Sequence, residues 1–222
     1  MISRTKSPIY RICILLLLSS FMWACTGSDE DQESDLDKQV KRFLKRKAGK
    51  WKDSNVPISD GKLLFDLIVK RGYTQGLEIG TSTGHSGIWI AWAMSKTGGK
   101  LITLEQNSSR HKQALENFKE AGLADYIDAR LGDAHELAKE VEGPFDFVFS
   151  DADKDWYINY FKDVTPRLEQ GGCFTAHNVR PLDSGRGMPG ARAYLKYVMD
   201  LPDYVSLVDN TGAGLSMSYK LK

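Results

Sequence analysis

The chain has 222 residues, 41% of them hydrophobic, with 30 basic and 29 acidic residues and a formal charge of +1 at neutral pH. That length supports one full-sized core rather than two, and the balance of charge excludes a dedicated nucleic-acid binder as the leading reading. Of the three cysteines, Cys13 and Cys25 fall in or beside an N-terminal apolar run and only Cys173 lies beyond, so no disulfide framework holds the body together.

The first 25 residues differ in kind from the rest. Arg4, Lys6 and Arg11 precede the apolar run 12–18, and Ala24 stands just before Cys25, the layout of a secretory signal peptide. The run is too short to span a bilayer comfortably. Cys25 resembles the lipid-modified cysteine of bacterial lipoproteins, although Met22 and Trp23 depart from the residues usual in that motif. Removing residues 1–24 takes away three cations and no acid, which changes the formal charge from +1 to −2. A lipoprotein-like signal peptide over 1–25 is therefore expected, with the protein in the cell envelope and anchored to the membrane through Cys25. A cytoplasmic protein with an uncleaved segment or a misassigned start is the alternative.

Residues 26–33 are polar and acidic and suit a solvated linker. Leu36, Val40, Phe43 and Leu44 then recur at helical spacing, with Lys41, Arg42, Lys45, Arg46 and Lys47 on the other face. Such a helix either packs on the body or lies on anionic headgroups. The span 26–55 is accordingly read as an acidic linker and a basic amphipathic helix, and 56–222 as the main domain.

Beyond Pro57, Ser59 is the expected cap of a helix running through Lys70. Strands are predicted at 76–80, 100–105, 126–131, 145–150 and 172–177, each separated by enough chain for a crossover helix. The runs 204–208 and 215–219 have no room for a helix between them and should form a hairpin. The fold class that follows is α/β: a doubly wound, mostly parallel, seven-stranded sheet with a C-terminal antiparallel hairpin and helices on both faces.

The segment Leu77-Glu78-Ile79-Gly80-Thr81-Ser82-Thr83-Gly84-His85-Ser86 follows the first predicted strand and opens a helix, the place where doubly wound folds hold a nucleotide. Gly80 and Gly84 allow close approach of backbone to a ligand, or simply make a tight turn. Their spacing is not the dinucleotide pattern, which disfavours a nicotinamide-dependent oxidoreductase. Glu105 ends the next strand, where a carboxylate accepts ribose hydroxyls. Glu78 suits a neighbouring cationic group.

The Glu78-Ile79-Gly80 turn, Glu105, Gly132-Asp133-Ala134 and Asp151-Ala152-Asp153-Lys154 together resemble the catechol and caffeoyl-CoA O-methyltransferases and their small bacterial relatives. The resemblance covers residues 56–222 and implies a Rossmann-like methyltransferase sheet that binds S-adenosylmethionine. It implies contacts from Glu78, Gly80, Ser86 and Glu105, with Ser82 and His85 flanking the methionine and ribose parts and Asp133 and Ala134 near the adenine. From the residues alone, the alternative is that Asp133 and His135 are ordinary loop polar groups, a reading that suits His135 better than Asp133.

In that family the equivalent of Asp151, with an aspartate and an asparagine after the next strand, holds a divalent cation, and the lysine matching Lys154 acts as or assists the general base. Here His177 and Asn178 follow the next strand, so His177 stands in place of the aspartate. The exchange removes a hard anionic ligand, and a site of Asp151, His177 and Asn178 would favour manganese, iron, nickel or zinc over magnesium. A metal-free site with His177 or Lys154 as base, and an inactive site, are the other readings. The loop 179–190 offers Arg180, Arg186 and Met188 to an acceptor, while Trp156, Tyr157 and Tyr160 either shape its pocket or fill the core. The acceptor implied is a small phenol or catechol hydroxyl, and the resemblance also implies a homodimer. Because S-adenosylmethionine is cytoplasmic and the N-terminus points outward, a lipid-anchored binding protein with reduced or lost catalysis stands as the alternative function.

Overall fold

The computed structural model describes residues 33–51 and 53–222. The expected signal peptide, Cys25 and nearly all of the acidic linker lie outside the described residues. In chain order the elements are α1 (Asp35–Lys47), α2 (Ile58–Arg71), β1 (Gln75–Ile79), α3 (His85–Thr97), β2 (Lys100–Glu105), α4 (Ser108–Ala121), β3 (Ile127–Leu131), α5 (Ala134–Glu140), β4 (Phe145–Ser150), α6 (Tyr157–Val164), β5 (Leu168–His177), α7 (Pro189–Met199), β6 (Tyr204–Asp209) and β7 (Leu215–Lys220).

The basic helix is part of the body. Ser34 caps α1 by accepting from the Asp37 amide at 3.2 Å, and Asp37 accepts from the Ser34 amide at 3.1 Å, a reciprocal capping box. Asp37 also accepts from Trp92 Nε1 at 2.6 Å and pairs with Lys96 at 2.5 Å, both on α3. Val40 and Phe43 are fully buried beside it. These contacts move the boundary of the folded unit from the expected position 56 to Glu33. A second correction concerns α2, whose cap is Pro57 in extended backbone with no side-chain bond. Ser59 lies within the first turn and donates to Asp60 at 3.0 Å.

The sheet has the order β3-β2-β1-β4-β5-β7-β6. The first five of these run parallel, and β7 lies between β5 and β6, antiparallel to both. β5 begins four residues before the predicted 172 because its register jumps from Leu168 to Cys173 while β4 advances from Phe145 to Phe147. The intervening glycines break the apolar pattern and hide the start.

Alternating side chains build two cores. Phe147 and Phe149 face one with Leu64, Ile68 and Phe118 from α2 and α4. Leu77, Ile79 and Val148 face the other with Tyr157, Phe161 and Tyr194 from α6 and α7. Burial on both sides fixes the register, because a one-residue slip would exchange every side chain between the cores. The strand order reverses between β1 and β4, and the carboxyl ends of these strands open a crevice there.

Candidate functional site

A cavity of about 800 Å³ occupies that crevice. Gly80, at φ 102°, directly follows β1, and a Cβ there would lie 2.9 Å from the Ala152 amide nitrogen, so the turns after β1 and β4 meet backbone to backbone. Ser82 follows in the left-handed region at φ 50°, which aims its N–H at Glu105 Oε2, 2.7 Å away. The Asn107 amide donates to Glu105 Oε1 at 2.8 Å. Each carboxylate oxygen thus keeps a lone pair free. Gly80, Ser82, Ser86 and Glu105 all line the cavity, while Ser82 Oγ is buried with no hydrogen-bond partner.

Three residues expected at the ligand stand off the wall. Glu78 is fully buried beneath the turn, where Thr103 donates to it at 2.5 Å. Burial pushes its carboxyl up to about 8, against hydrogen bonds from Ser86 and Thr103. Gly84 is a packing position, since a Cβ there would meet the Phe118 ring at 2.6 Å. His85 points away toward the segment before α2. Its Nδ1 lies 2.9 Å from the Val56 carbonyl oxygen and its Nε2 lies 3.2 Å from Trp89 Nε1. A carbonyl only accepts and an indole only donates, so the ring is the neutral Nδ1–H tautomer. Burial agrees, holding the imidazole down to about 4.

The same segment forms one rim of the cavity through Ser54, Asn55 and Pro57. Thr83 Oγ1 donates to Asn55 at 3.2 Å, and Arg110 pairs with Asp53 at 3.3 Å. On the opposite wall Asp133 caps α5 by accepting from the His135 amide at 2.9 Å. Ala134 and His135 lie beside it, the His135 ring stacked on Tyr160 at 12° between planes. Sequence reasoning missed the rim and Gln106, because nothing in a short connecting segment marks what it covers.

The far corner holds four ionisable side chains in a row. Lys154 Nζ donates to Asp151 Oδ1 at 2.5 Å. His177 Nδ1 lies 3.2 Å from Asp151 Oδ2, and its Nε2 lies 2.7 Å from Asp60 Oδ2. Side-chain exposure is 4% for His177 and 3% for Asp60, against 15% for Lys154 and 14% for Asp151. Burial opposes charge on the His177 ring, but hydrogen bonds and fields from Asp151 and Asp60 outweigh it and push the imidazole up to about 9. Burial likewise opposes charge on Asp60, yet the bonds from His177 and from the Ala213 amide at 2.9 Å hold its carboxyl below the ordinary range.

With both carboxylates ionised, the ring between them carries a proton on each nitrogen; a metal at Nδ1 would displace the proton that faces Asp151 and leave the Nε2–H on Asp60. Asp151, His177 and Asn178 all line the cavity and are the residues that would hold a divalent ion there. Among the described residues no group of three or more His, Cys, Asp or Glu side chains is arranged to hold one. Asn178 and Met188 still line the cavity, whereas Arg180 turns to Asn210 at 2.6 Å and Arg186 stays off the wall. Tyr157 is core, its hydroxyl donating to the His177 carbonyl at 3.1 Å.

Asp60 was not anticipated from sequence. Its signal is an acid in register with the buried stripe Leu64, Leu67 and Ile68 of α2. The loop between β6 and β7 closes over it so tightly that a Cβ on Gly212 would fall 1.4 Å from Asp60 Oδ1.

A family model described as O-methyltransferase matches residues 26–185. The catechol O-methyltransferase of Niastella koreensis is 40% identical over 107 residues, 46% of this chain and 48% of that protein. Caffeoyl-CoA O-methyltransferase 1 of Eucalyptus globulus is 31% identical over 157 residues, 68% of this chain and 63% of that protein. The chain thus spans between about half and somewhat under two thirds of the length of these curated relatives. Among solved structures, an O-methyltransferase from Bacillus cereus in complex with SAH superposes with a TM-score of 0.71 at 27% identity, covering 83% of this chain and 91% of that one.

Proposed function

The chain belongs to the O-methyltransferase family, and we propose that it transfers the methyl group of S-adenosylmethionine to a hydroxyl of a small acceptor, phenolic or catechol-like as the names of its relatives suggest. One observation carries this reading: Glu105, fixed at the end of β2, and Lys154, paired with Asp151 after β4, open on the same cavity. S-adenosylmethionine supplies the electrophilic methyl group when bound. Glu105 takes the ribose hydroxyls on its free lone pairs, and the unpartnered Ser82 hydroxyl meets the polar methionine end. Asp133, Ala134 and His135 wall the base.

Lys154 reaches the acceptor side, where its ammonium would first lose a proton to solvent and the amine would then take the proton of the hydroxyl as that oxygen attacks the methyl group, while Asp151 keeps Lys154 in place. His177, its ring nitrogens 3.2 Å from Asp151 and 2.7 Å from Asp60, holds Asp151 rather than meeting the acceptor. An idle envelope-binding fold gives no reason for Lys154 to face the cavity beside an ordered Glu105. Attachment to the membrane through Cys25 and assembly as a homodimer belong to the same proposal; they rest on the sequence pattern and the resemblance, and lipid labelling and sedimentation test them.

Calorimetric titration of S-adenosylmethionine into the full chain is expected to give a Kd on the order of micromolar, and labelled methyl groups are expected to reach simple catechols. Lys154→Met should keep the binding and lose the transfer. Absence of binding by the unaltered protein sinks the reading.

A further inference from the structure

His85 occupies a place that methyl transfer does not explain. It opens α3 directly after the turn that carries Ser82, yet its side chain is buried and stays off the cavity wall. The ring is held from two sides. Trp89, one turn along α3, donates to its Nε2 at 3.2 Å, and Trp89 is itself confined, because a Cβ on Gly61 of α2 would run into the indole. Opposite, the His85 Nδ1–H donates to the Val56 carbonyl at 2.9 Å, and the Trp51 ring stacks on the imidazole with centroids 4.4 Å apart and 27° between planes. Trp51 meets Phe43 of α1 edge to face at 6.1 Å. One ring thus joins α3 to the chain that leads from α1 to α2.

That stretch of chain needs an anchor. Residues 53–57 are neither helix nor strand, so side-chain contacts must fix them. Ser54, Asn55 and Pro57 face the cavity, while Val56 between them is buried in the core; the carbonyl that His85 holds is in the middle of the rim. The bond from Thr83 to Asn55 at 3.2 Å sets this rim over the turn between Ser82 and Ser86. The pair Arg110 and Asp53 also ties it, but both side chains are 41% exposed, where an ion pair holds weakly. The bond from His85 is buried, and parting it would leave a donor and an acceptor unpaired away from water.

We propose that His85 is a positioning residue for the methyl donor: without touching it, the ring pins the rim 53–57 to the turn after β1 and so sets how firmly S-adenosylmethionine is held. The effect on the ligand rests on the methyl-transfer reading above; the pinning of the rim does not. Opening the rim requires the Val56 carbonyl to leave Nδ1 and Trp51 to unstack, so loss of either contact lowers the cost of opening.

Two measurements on the full chain test it. In the absence of ligand, hydrogen–deuterium exchange across 53–57 is compared between the unaltered protein and His85→Phe, which keeps a ring against Trp51 and loses both hydrogen bonds. Exchange in the rim should rise about tenfold, roughly the worth of one buried hydrogen bond, while β1, β2 and β4 stay protected. Calorimetric affinity for S-adenosylmethionine should fall by a similar factor. Trp51→Leu, which frees the ring from the other side, should act alike, and the double variant should add little to either, because both work through one pin. If His85→Phe does not fold, Trp51→Leu decides by the same two readouts. A ring that only fills space would lower the melting temperature and leave rim exchange and affinity unchanged; either of those being unchanged, or additive effects of the two substitutions, overturns the proposal. Failure of the unaltered protein to bind S-adenosylmethionine overturns the methyl-transfer reading instead, and the exchange measurement still shows whether His85 pins the rim, so the two failures are separable.

Discussion

Glu105 holds the turn after β1 and offers its remaining lone pairs to the cavity, so its removal should be felt at the ligand more than in the fold. Glu105→Ala is expected to weaken S-adenosylmethionine binding by about 1–3 kcal/mol, the range for hydrogen bonds to a charged group. Calorimetry beside a thermal melt separates the two effects, and unchanged affinity would take Glu105 out of the site. Residues of this kind were legible in the sequence because each ends a strand, and strand ends in a doubly wound sheet converge on one edge. Glu105, Asp133, Asp151, Lys154 and His177 all reach the cavity for that reason. Glu78 and His85 do not, since the residue inside the last position of a strand and the first residue of a helix point into the packing between layers. Asp60 was hidden for a different reason: it belongs to a helix, and its partners lie 117 and 153 residues away.

Helix α1 was legible as a helix, and of the two placements its sequence allowed, the structure shows the one packed on the body. Its apolar spacing marks a helix, while its cations suggest a surface free to meet something else. Besides the buried Val40 and Phe43 and the bonds of Gln39 and Arg46 to Glu120, one acid ties it down at its start: Asp37, which closes the capping box and also bonds Trp92 and Lys96. Asp37→Ala is expected to lose a cap and two bonds together, about 2–4 kcal/mol; urea denaturation against the unaltered protein measures it, and a loss below about 1 kcal/mol would mean that α1 is held mainly by its other contacts, Val40 and Phe43 among them. The strands were easier, because near-continuous apolar runs bounded by polar turns have few other interpretations. The early start of β5 escaped because a pairing irregularity depends on the neighbouring strand, which a local pattern does not contain.

At the scale of the whole molecule, His85 makes stability depend on acidity. Its folded value near 4 lies below the ordinary 6.5, so the unfolded chain takes up a proton first. The stabilisation is complete above about pH 6.5 and is lost as the pH falls toward 4, by roughly 3 kcal/mol in total. Glu78, pushed up to about 8, has the opposite sign: its contribution is present in acid and is lost as the pH rises through that value. The two overlap, so the measurement is a difference curve between the unaltered protein and His85→Leu from pH 4 to 7. A slope in that difference is expected, and a flat difference would show that His85 is not buried neutral. The contact between Gly212 and Asp60 reaches beyond any one folded state, into descent. A Cβ at 212 would land on the Asp60 carboxylate, so a larger residue there requires the side chain at 60 to shift or shrink. Homologues with a larger residue at this point of the hairpin should carry something smaller or uncharged on the facing helix, and the pairing of Asp60 with His177 would then have been gained or lost as a set.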